Sequence, residues 1–225
     1  MAEEIKEQNL KLEDRLNNFE HWVNQNKNLL TYVAGGLFAI VAAYLGFTKL
    51  YLDPKSTEAT NQMFMAEKYF GQDSLERALN GDGNYPGFTQ IMEDYKWTPA
   101  ANLAHYYAGV IYLKQGKFED AIEHLKDYSG KDKMVSSMSL GALGDAYSEL
   151  GKMDEAVDYY KKAAYNFENE LTTPMFLKKA GMLLESQQKT AEAKKIYEEI
   201  KAKYPNTAEG RDMDKYIARA GGAKS

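Results

Sequence analysis

The order of apolar and polar residues sets one segment of the chain apart from the rest. Residues 29–48, which read LLTYVAGGLFAIVAAYLGFT, contain no charged side chain. A helix of that length rises roughly 30 Å, which is about the hydrocarbon thickness of a bilayer. Tyr32, Tyr44 and Tyr51 lie towards its ends, where interfacial aromatic side chains are expected. The pattern therefore predicts a membrane-spanning helix over residues 29–52.

A buried core helix and a cleavable signal peptide are the two alternatives for this segment. No charge interrupts it and no other segment shares its composition, which disfavours a core helix. The 28 preceding residues are too long and too acidic for the n-region of a signal peptide, and no small-residue cleavage pattern follows within residues 49–54. We therefore expect the segment to remain as a signal-anchor.

Small residues recur every four positions within this predicted span, at Gly35, Ala39 and Ala43. They share one face of a helix, and small side chains at this spacing allow a second membrane helix to approach closely. Gly and Ala are also common in any single span. The pattern is thus consistent either with a docking face or with ordinary composition.

Residues 1–28 are hydrophilic and are predicted to form an amphipathic helix. The steps along its apolar stripe are mostly three or four residues, which is helical spacing. The stripe consists of Ile5, Leu12, Leu16, Phe19 and Val23. It could bind a partner helix or lie on the membrane surface, and two heptads are too few to indicate a coiled coil.

A repeat occupies the second half of the chain. Gly109, Gly144 and Gly181 recur at intervals of 35 and 37 residues. Each is followed by alanine after 12 residues and by a large side chain after 16, at Ala121, Ala156 and Ala193 and then at Leu125, Tyr160 and Tyr197. This combination resembles the tetratricopeptide-repeat (TPR) consensus, which has a period of about 34 residues.

Together with the predicted span, the TPR resemblance implies an all-α fold, with one N-terminal transmembrane helix followed by a right-handed solenoid of antiparallel helix pairs. It places the repeats at residues 98–206. Residues 57–97 are expected to form N-terminal helices or a degenerate repeat, and residues 207–225 a capping helix and a disordered tail. Gly116 and Gly151 fit the turn between paired helices, whereas the third repeat has Gln188 there.

The first helix of each TPR pair lines the concave face of the solenoid, so the resemblance also implies a partner-binding groove. Tyr and Met are adaptable contact residues, suited to apolar or extended peptide segments. Alternatively, some of these side chains only pack against neighbouring helices. The residues mapped onto the groove are Leu103, Tyr106, Val110, Lys114, Met138, Asp145, Glu149, Met175, Lys178, Met182 and Glu185.

Composition and motifs argue against catalysis and against nucleic-acid binding. Lys and Arg number 28 against 33 Asp and Glu, and they are spread along the chain, so no basic footprint for nucleic acid exists. The absence of cysteine excludes thiolate metal sites and disulfides. His105 occupies a repeat position usually taken by a packing aromatic, and His21 and His124 lie on helices without carboxylate or cysteine ligands at metal spacing. We expect no enzyme activity, no cofactor, no metal and no small-molecule substrate.

The whole arrangement resembles the YfgM-type family of Gram-negative bacteria, which are ancillary subunits of the SecYEG translocation channel. The shared features are the hydrophilic residues 1–28, a signal-anchor at 29–48 and a TPR domain that follows. The resemblance implies a cytoplasmic N-terminus, an inner-membrane anchor and a periplasmic TPR domain. It also implies contact with a SecYEG-type channel and with a membrane-anchored PpiD-type chaperone.

Charge does not settle this orientation, because three Lys or Arg residues flank the span on each side within about twenty residues. The alternative is a membrane-tethered TPR adaptor that faces the cytoplasm and serves another complex. An outer-membrane assembly scaffold is disfavoured, since the chain has no cysteine for lipidation.

Overall fold

The computed structural model of the protein describes residues 2–222, with side chains described at Leu12 and from residue 15 onwards. Every regular element in that range is helical. The chain divides into two compact units, residues 1–54 and 55–225. The α-helices are α1 (Ala2–Gly46), α2 (Asp53–Gly71), α3 (Leu75–Asn80), α4 (Phe88–Asp94), α5 (Pro99–Lys114), α6 (Phe118–Asp127), α7 (Lys133–Glu149), α8 (Met153–Asn166), α9 (Thr172–Ser186), α10 (Thr190–Lys203), α11 (Ala208–Arg211) and α12 (Met213–Gly222).

The first unit is dominated by α1, which is followed by a π-helical segment, Phe47–Leu52. The helical stretch Arg15–Gly71 contains an apolar window long enough to cross a membrane, and no residue of that window is buried. The window is therefore not packed into a core of this chain. Leu12, Leu16 and Phe19 of the N-terminal stripe are exposed, and Ile5 lies outside the described side chains.

The second unit consists of antiparallel helix pairs whose close packing depends on the repeated small residues. Ala121, Ala156 and Ala193 are fully buried in α6, α8 and α10. The glycine of each partner helix faces the large residue sixteen positions later. A Cβ atom would stand 2.6 Å from Leu125 at Gly109, 2.6 Å from Tyr160 at Gly144, and 2.5 Å from Tyr197 at Gly181. The repeat register predicted from the sequence is therefore the register of helix packing.

The turn that joins the two helices of a pair has the same backbone conformation at four places in the chain. Gly116 and Gly151 have φ values of +73° and +72°, and Gln188 and Asp73 adopt the same left-handed region at +62° and +56°. In each case this residue and the next donate backbone N–H groups to carbonyls three and five residues back, as at Gly116 to Leu113 (3.1 Å). The turn between α2 and α3 is thus built like those of the three repeats.

Polar caps fix where the first helices of the pairs begin. Thr98 Oγ1 accepts a hydrogen bond from the Ala101 N–H (3.1 Å), with Pro99 in the first turn of α5. Asp132 Oδ1 accepts one from the Val135 N–H (2.9 Å) at the start of α7. These caps set the ends of the loops that lead from one pair to the next. At the C-terminal end α12 continues to Gly222, and residues 223–225 of the predicted tail lie outside the described residues.

Candidate functional site

Three residues of the groove predicted from the sequence line one shallow pocket between the first and second repeats. Lys114 of α5 lies there with Asp145 and Glu149 of α7, in a volume of about 420 Å³. Lys114 Nζ is 2.8 Å from Asp73 Oδ1, an ion pair that links it to the turn after α2. The groove therefore has a charged floor at this point.

Asp145 is the centre of a polar contact between successive repeats. Its Oδ1 atom accepts a hydrogen bond from the Tyr160 hydroxyl (2.5 Å) and pairs with Lys179 Nζ (2.6 Å) on α9. Burial, followed by the hydrogen bond to Asp145, raises the pKa of Tyr160, so this phenol stays protonated as the donor. Asp145 thus connects α7 to α8 and α9. Its Oδ1 atom is already occupied by the contacts with Tyr160 and Lys179.

Glu185 repeats this arrangement one repeat further on. It accepts from the Tyr197 hydroxyl (3.0 Å) and from Arg219 Nη2 (2.6 Å) on α12. The hydrogen bond from Arg219 holds the pKa of Glu185 below its usual range. Lys178 Nζ lies 5.3 Å from the centre of the Tyr216 ring, also on α12. The last helix therefore contacts two of the predicted groove residues in the third repeat.

Of the other predicted groove residues, some pack between repeats and others are exposed to solvent. Tyr106 and Val110 are half-buried and pack around Leu125 between the first two repeats. Burial raises the pKa of Tyr106. Met138 and Met182 are exposed. In the predicted membrane span, Gly35, Ala39 and Ala43 are all exposed on α1, and nothing lies within 4 Å of a Cβ built at Gly35.

A larger cleft, which the sequence did not predict, lies where successive helix pairs are joined. Its volume is about 1070 Å³. It is bounded by α4, the first turns of α5, the end of α6 and the loop before α7. The loop is held in place by Asn102 Oδ1, which accepts from the Ser129 N–H (2.9 Å). Lining residues include Met92, Trp97, Asn102, His105, His124, Asp127 and Tyr128.

Trp97 stands at this cleft in an unusual conformation. Its side chain is 74% exposed and its φ is +69°, a region that bulky residues rarely adopt. Asp73 and Gln188 adopt the same region in the turns between helices, and Trp97 likewise lies in the turn that connects α4 to α5. Thr98, the N-cap of α5, and Pro99, in the first turn of that helix, directly follow Trp97 and fix the backbone on its C-terminal side.

Exposed apolar side chains recur close to the start of the first helix of each pair. Trp97, Met134 (36% exposed) and Leu171 (70% exposed) are spaced 37 residues apart, each within two residues of a helix start. Contacts connect the segments that contain Met134 and Leu171. Lys133 Nζ lies 5.8 Å from the Phe167 ring centre, and Asn166 Nδ2 donates to the Lys133 carbonyl (3.3 Å). We refer to the surface formed by Trp97, Met134 and Leu171 as the loop edge.

His105 and His124 face each other in the wall of the cleft. Their Nδ1 atoms are 3.3 Å apart, and the side chain of His105 is 27% exposed, so His105 is only partly a packing residue. Burial, with the neighbouring His124, lowers the pKa of His105. No group of three or more His, Cys, Asp and Glu side chains in the described part of the chain is placed to hold a metal ion.

A comparison with protein families identifies the repeat region. Residues 74–214, more than half of the chain, match the family described as T7SS, ESX-1 secretion system protein EccA1, N-terminal domain. The chain belongs to this family. No curated protein matches it.

Two solved structures support the fold independently. Both are of a Podosopora anserina kinesin light chain with nearly identical TPR-like repeats, one of them a point variant. They have TM-scores of 0.56, with 15% and 16% identity, and the match covers 75% of this chain and 87% of theirs. At that identity the likeness shows the fold alone, and the predicted TPR-type solenoid is confirmed. Folds of this type typically serve as non-catalytic scaffolds for protein–protein interaction.

Proposed function

We propose that this protein is a membrane-anchored, non-catalytic scaffold that binds a partner protein on its loop edge. The observation that carries the proposal is the row of exposed apolar side chains at Trp97, Met134 and Leu171. Apolar patches that remain exposed on a folded domain commonly mark interaction sites, and Trp is enriched among the residues that dominate binding energy. The adjacent cleft of about 1070 Å³ provides a concavity for partner side chains.

The anchor in this proposal is the segment 29–52. Its apolar side chains are exposed along the helix, including Phe38 and Ile40, which water would solvate unfavourably. A bilayer removes that cost, because the helix satisfies its own backbone hydrogen bonds and places the side chains in hydrocarbon.

The finer role that we propose is that of an ancillary subunit of the Sec translocon, working beside a periplasmic chaperone. The resemblance to YfgM-type proteins supports this assignment. The family description, which names a secretion system, supports a role in protein export more broadly. In this role the N-terminus is cytoplasmic, α1 anchors the chain in the inner membrane, and the TPR domain is periplasmic. The partners are a SecYEG-type channel and a PpiD-type chaperone.

Photocrosslinking tests where the partner binds. A photoreactive amino acid is placed at Trp97 on the loop edge, and in separate variants at Glu149 and Met182 in the groove predicted from the sequence. We expect a discrete crosslinked protein from position 97 in native membranes. A crosslink only from positions 149 and 182 would show that the partner binds in the groove and not on the loop edge. No crosslink from any position would contradict a scaffold role.

Two fractionation experiments test the anchor and the orientation. Alkaline carbonate extraction should leave the protein in the membrane pellet, and release into the supernatant would contradict anchoring. Protease added to spheroplasts should digest residues 57–225 if the domain is periplasmic. Digestion only after lysis would instead favour the cytoplasm-facing adaptor, which the equal numbers of Lys and Arg on the two sides of the span leave open.

A further inference from the structure

Two histidines from adjacent helices have their ring nitrogens aimed at one another. His105 of α5 and His124 of α6 have Nδ1 atoms 3.3 Å apart, with ring centres separated by 5.5 Å. Asp127, at the end of α6, places Oδ2 3.9 Å from His105 Nδ1. These are three side chains of the types that bind transition metals, on two helices that pack against each other.

The surrounding packing holds the His124 ring before any ligand is bound. The Tyr112 ring stacks on His124, with centres 5.2 Å apart and planes inclined by 15°. Gly109, one turn after His105, packs against Leu125, the residue after His124, and brings α5 and α6 into close contact. Both histidines also line the large cleft, so an ion and its water molecules can reach them from solvent.

The separation of the nitrogens suits a shared ion. Two ligands at about 2.0–2.1 Å from a tetrahedral Zn²⁺ stand about 3.3 Å apart, which is the distance found between the two Nδ1 atoms. Without a ligand the two Nδ1 atoms share a hydrogen bond whose donor depends on the tautomer, and a bound ion would replace it. Imidazole nitrogen is a ligand that suits Zn²⁺, Cu²⁺ and Ni²⁺.

We propose that His105 and His124 form a two-histidine binding site for a divalent transition metal ion of the Zn²⁺ class. Water fills the remaining coordination positions, and the exposed Asp127 carboxylate becomes a third ligand after a side-chain rotation. The bound ion joins α5 to α6 at the wall of the cleft. This site is independent of the proposed scaffold function, because it requires no partner and no membrane.

The composition of the chain makes the site simple to test. There are three histidines and no cysteines, so His21, in the first unit, is the only other histidine. The full-length protein in detergent is titrated with ZnCl₂ by calorimetry, and with Co²⁺, whose visible absorption reports coordination geometry. The variants are His105→Asn and His124→Asn, with His21→Asn as the matched control.

We expect wild type and His21→Asn to bind one Zn²⁺ per chain with equal affinity. Each of the other two variants should bind at least about tenfold more weakly, because even the loss of a residue that only supports a ligand costs 10–100-fold. Bound metal should raise the unfolding temperature of wild type, since it stabilises the folded state alone. If both variants fail to fold, the folded His21→Asn protein decides, because it retains only His105 and His124. Saturable binding of one Co²⁺ per chain by that protein supports the site, whereas no binding by it, or equal binding by all three variants, overturns the proposal.

Discussion

Gly144 on α7 lies against the ring of Tyr160 on α8, so closely that a Cβ atom at position 144 would stand 2.6 Å from two ring carbons. Tyr160 is buried and its hydroxyl is bonded to Asp145, so the ring cannot move aside without losing that hydrogen bond. The close contact of α7 and α8 in the second repeat thus requires a glycine at position 144.

Gly144→Ala should therefore destabilise the repeat domain. Overpacking a tight core contact costs about 1–3 kcal/mol, and the value is measured by urea unfolding of the purified protein. Gly71→Ala is the control, because nothing lies within 4 Å of a Cβ at position 71. Ala156→Leu, at a fully buried position of α8, should have an effect of similar size. Equal stabilities for Gly144→Ala and the control would contradict the packing described here.

Gln188→Gly should stabilise the protein. Gln188 has φ +62° at the turn where two other repeats use glycine, and a left-handed conformation costs a residue with a side chain about 1–2 kcal/mol. Glycine also gains unfolded-state entropy, so the net stabilisation is expected to be about 0.5–1 kcal/mol. Gly151→Ala provides the reverse experiment, since φ is +72° there and no atom lies within 4 Å of a Cβ built at this position. It should destabilise by a comparable amount.

The ion pair between Glu185 and Arg219 should make stability depend on pH in the acid range. The folded-state pKa of Glu185 is lowered, so its contribution is fully present above its unfolded pKa of about 4.3 and is lost as the pH falls through the folded value. Glu185→Gln cannot titrate. The free energies of unfolding of wild type and this variant should differ most at pH 7 and converge as the pH falls below about 4. A difference that stays constant with pH would contradict the stated role of the charge.

The packing of the repeats could be predicted from the sequence because it depends on local spacing. Gly109, Gly144 and Gly181, with alanine and a large residue at fixed distances, identify the contacts that the structure contains. The contact between Arg219 and Glu185 could not be predicted in this way. Arg219 lies on α12, and that helix lacks the glycine and alanine signature.

The cleft and the loop edge could not be predicted, because they depend on loop conformation and on residues distant in sequence. The left-handed backbone of Trp97 has no glycine or asparagine to signal it. His105 and His124 are 19 residues apart on different helices, and only the crossing of α5 and α6 brings their rings together. A 37-residue spacing of Trp97, Met134 and Leu171 is visible in the sequence, but their exposure is not.

The small-residue face of the predicted span gives a prediction about contacts within the membrane. Gly35→Leu with Ala39→Leu should remove crosslinks to a channel or chaperone partner if this face docks another helix, because the larger side chains keep the backbones apart. The protein should remain in the membrane, since leucine is favoured there. Ala34→Leu with Val41→Leu changes the opposite face and serves as the control. Crosslinks that persist in both pairs would assign partner binding to the repeat domain alone.

Trp97→Asn should weaken partner binding without destabilising the fold. Asparagine tolerates the left-handed region better than any bulky residue, so the loop should keep its conformation and the unfolding free energy should change by less than about 0.5 kcal/mol. The exposed indole would be lost, and with it the largest apolar contact of the loop edge.

Copurification of partner proteins with this variant, solubilised from native membranes, provides the measurement. We expect recovery to fall by at least about tenfold, which corresponds to the roughly 1.4 kcal/mol or more that truncation of an interface tryptophan typically costs. Tyr85→Ala is the matched control, because Tyr85 is also an exposed aromatic in a loop but does not line the cleft. If the two variants retain their partners equally, the exposure of Trp97 does not reflect binding, and the groove that contains Lys114, Asp145 and Glu149 becomes the surface to test.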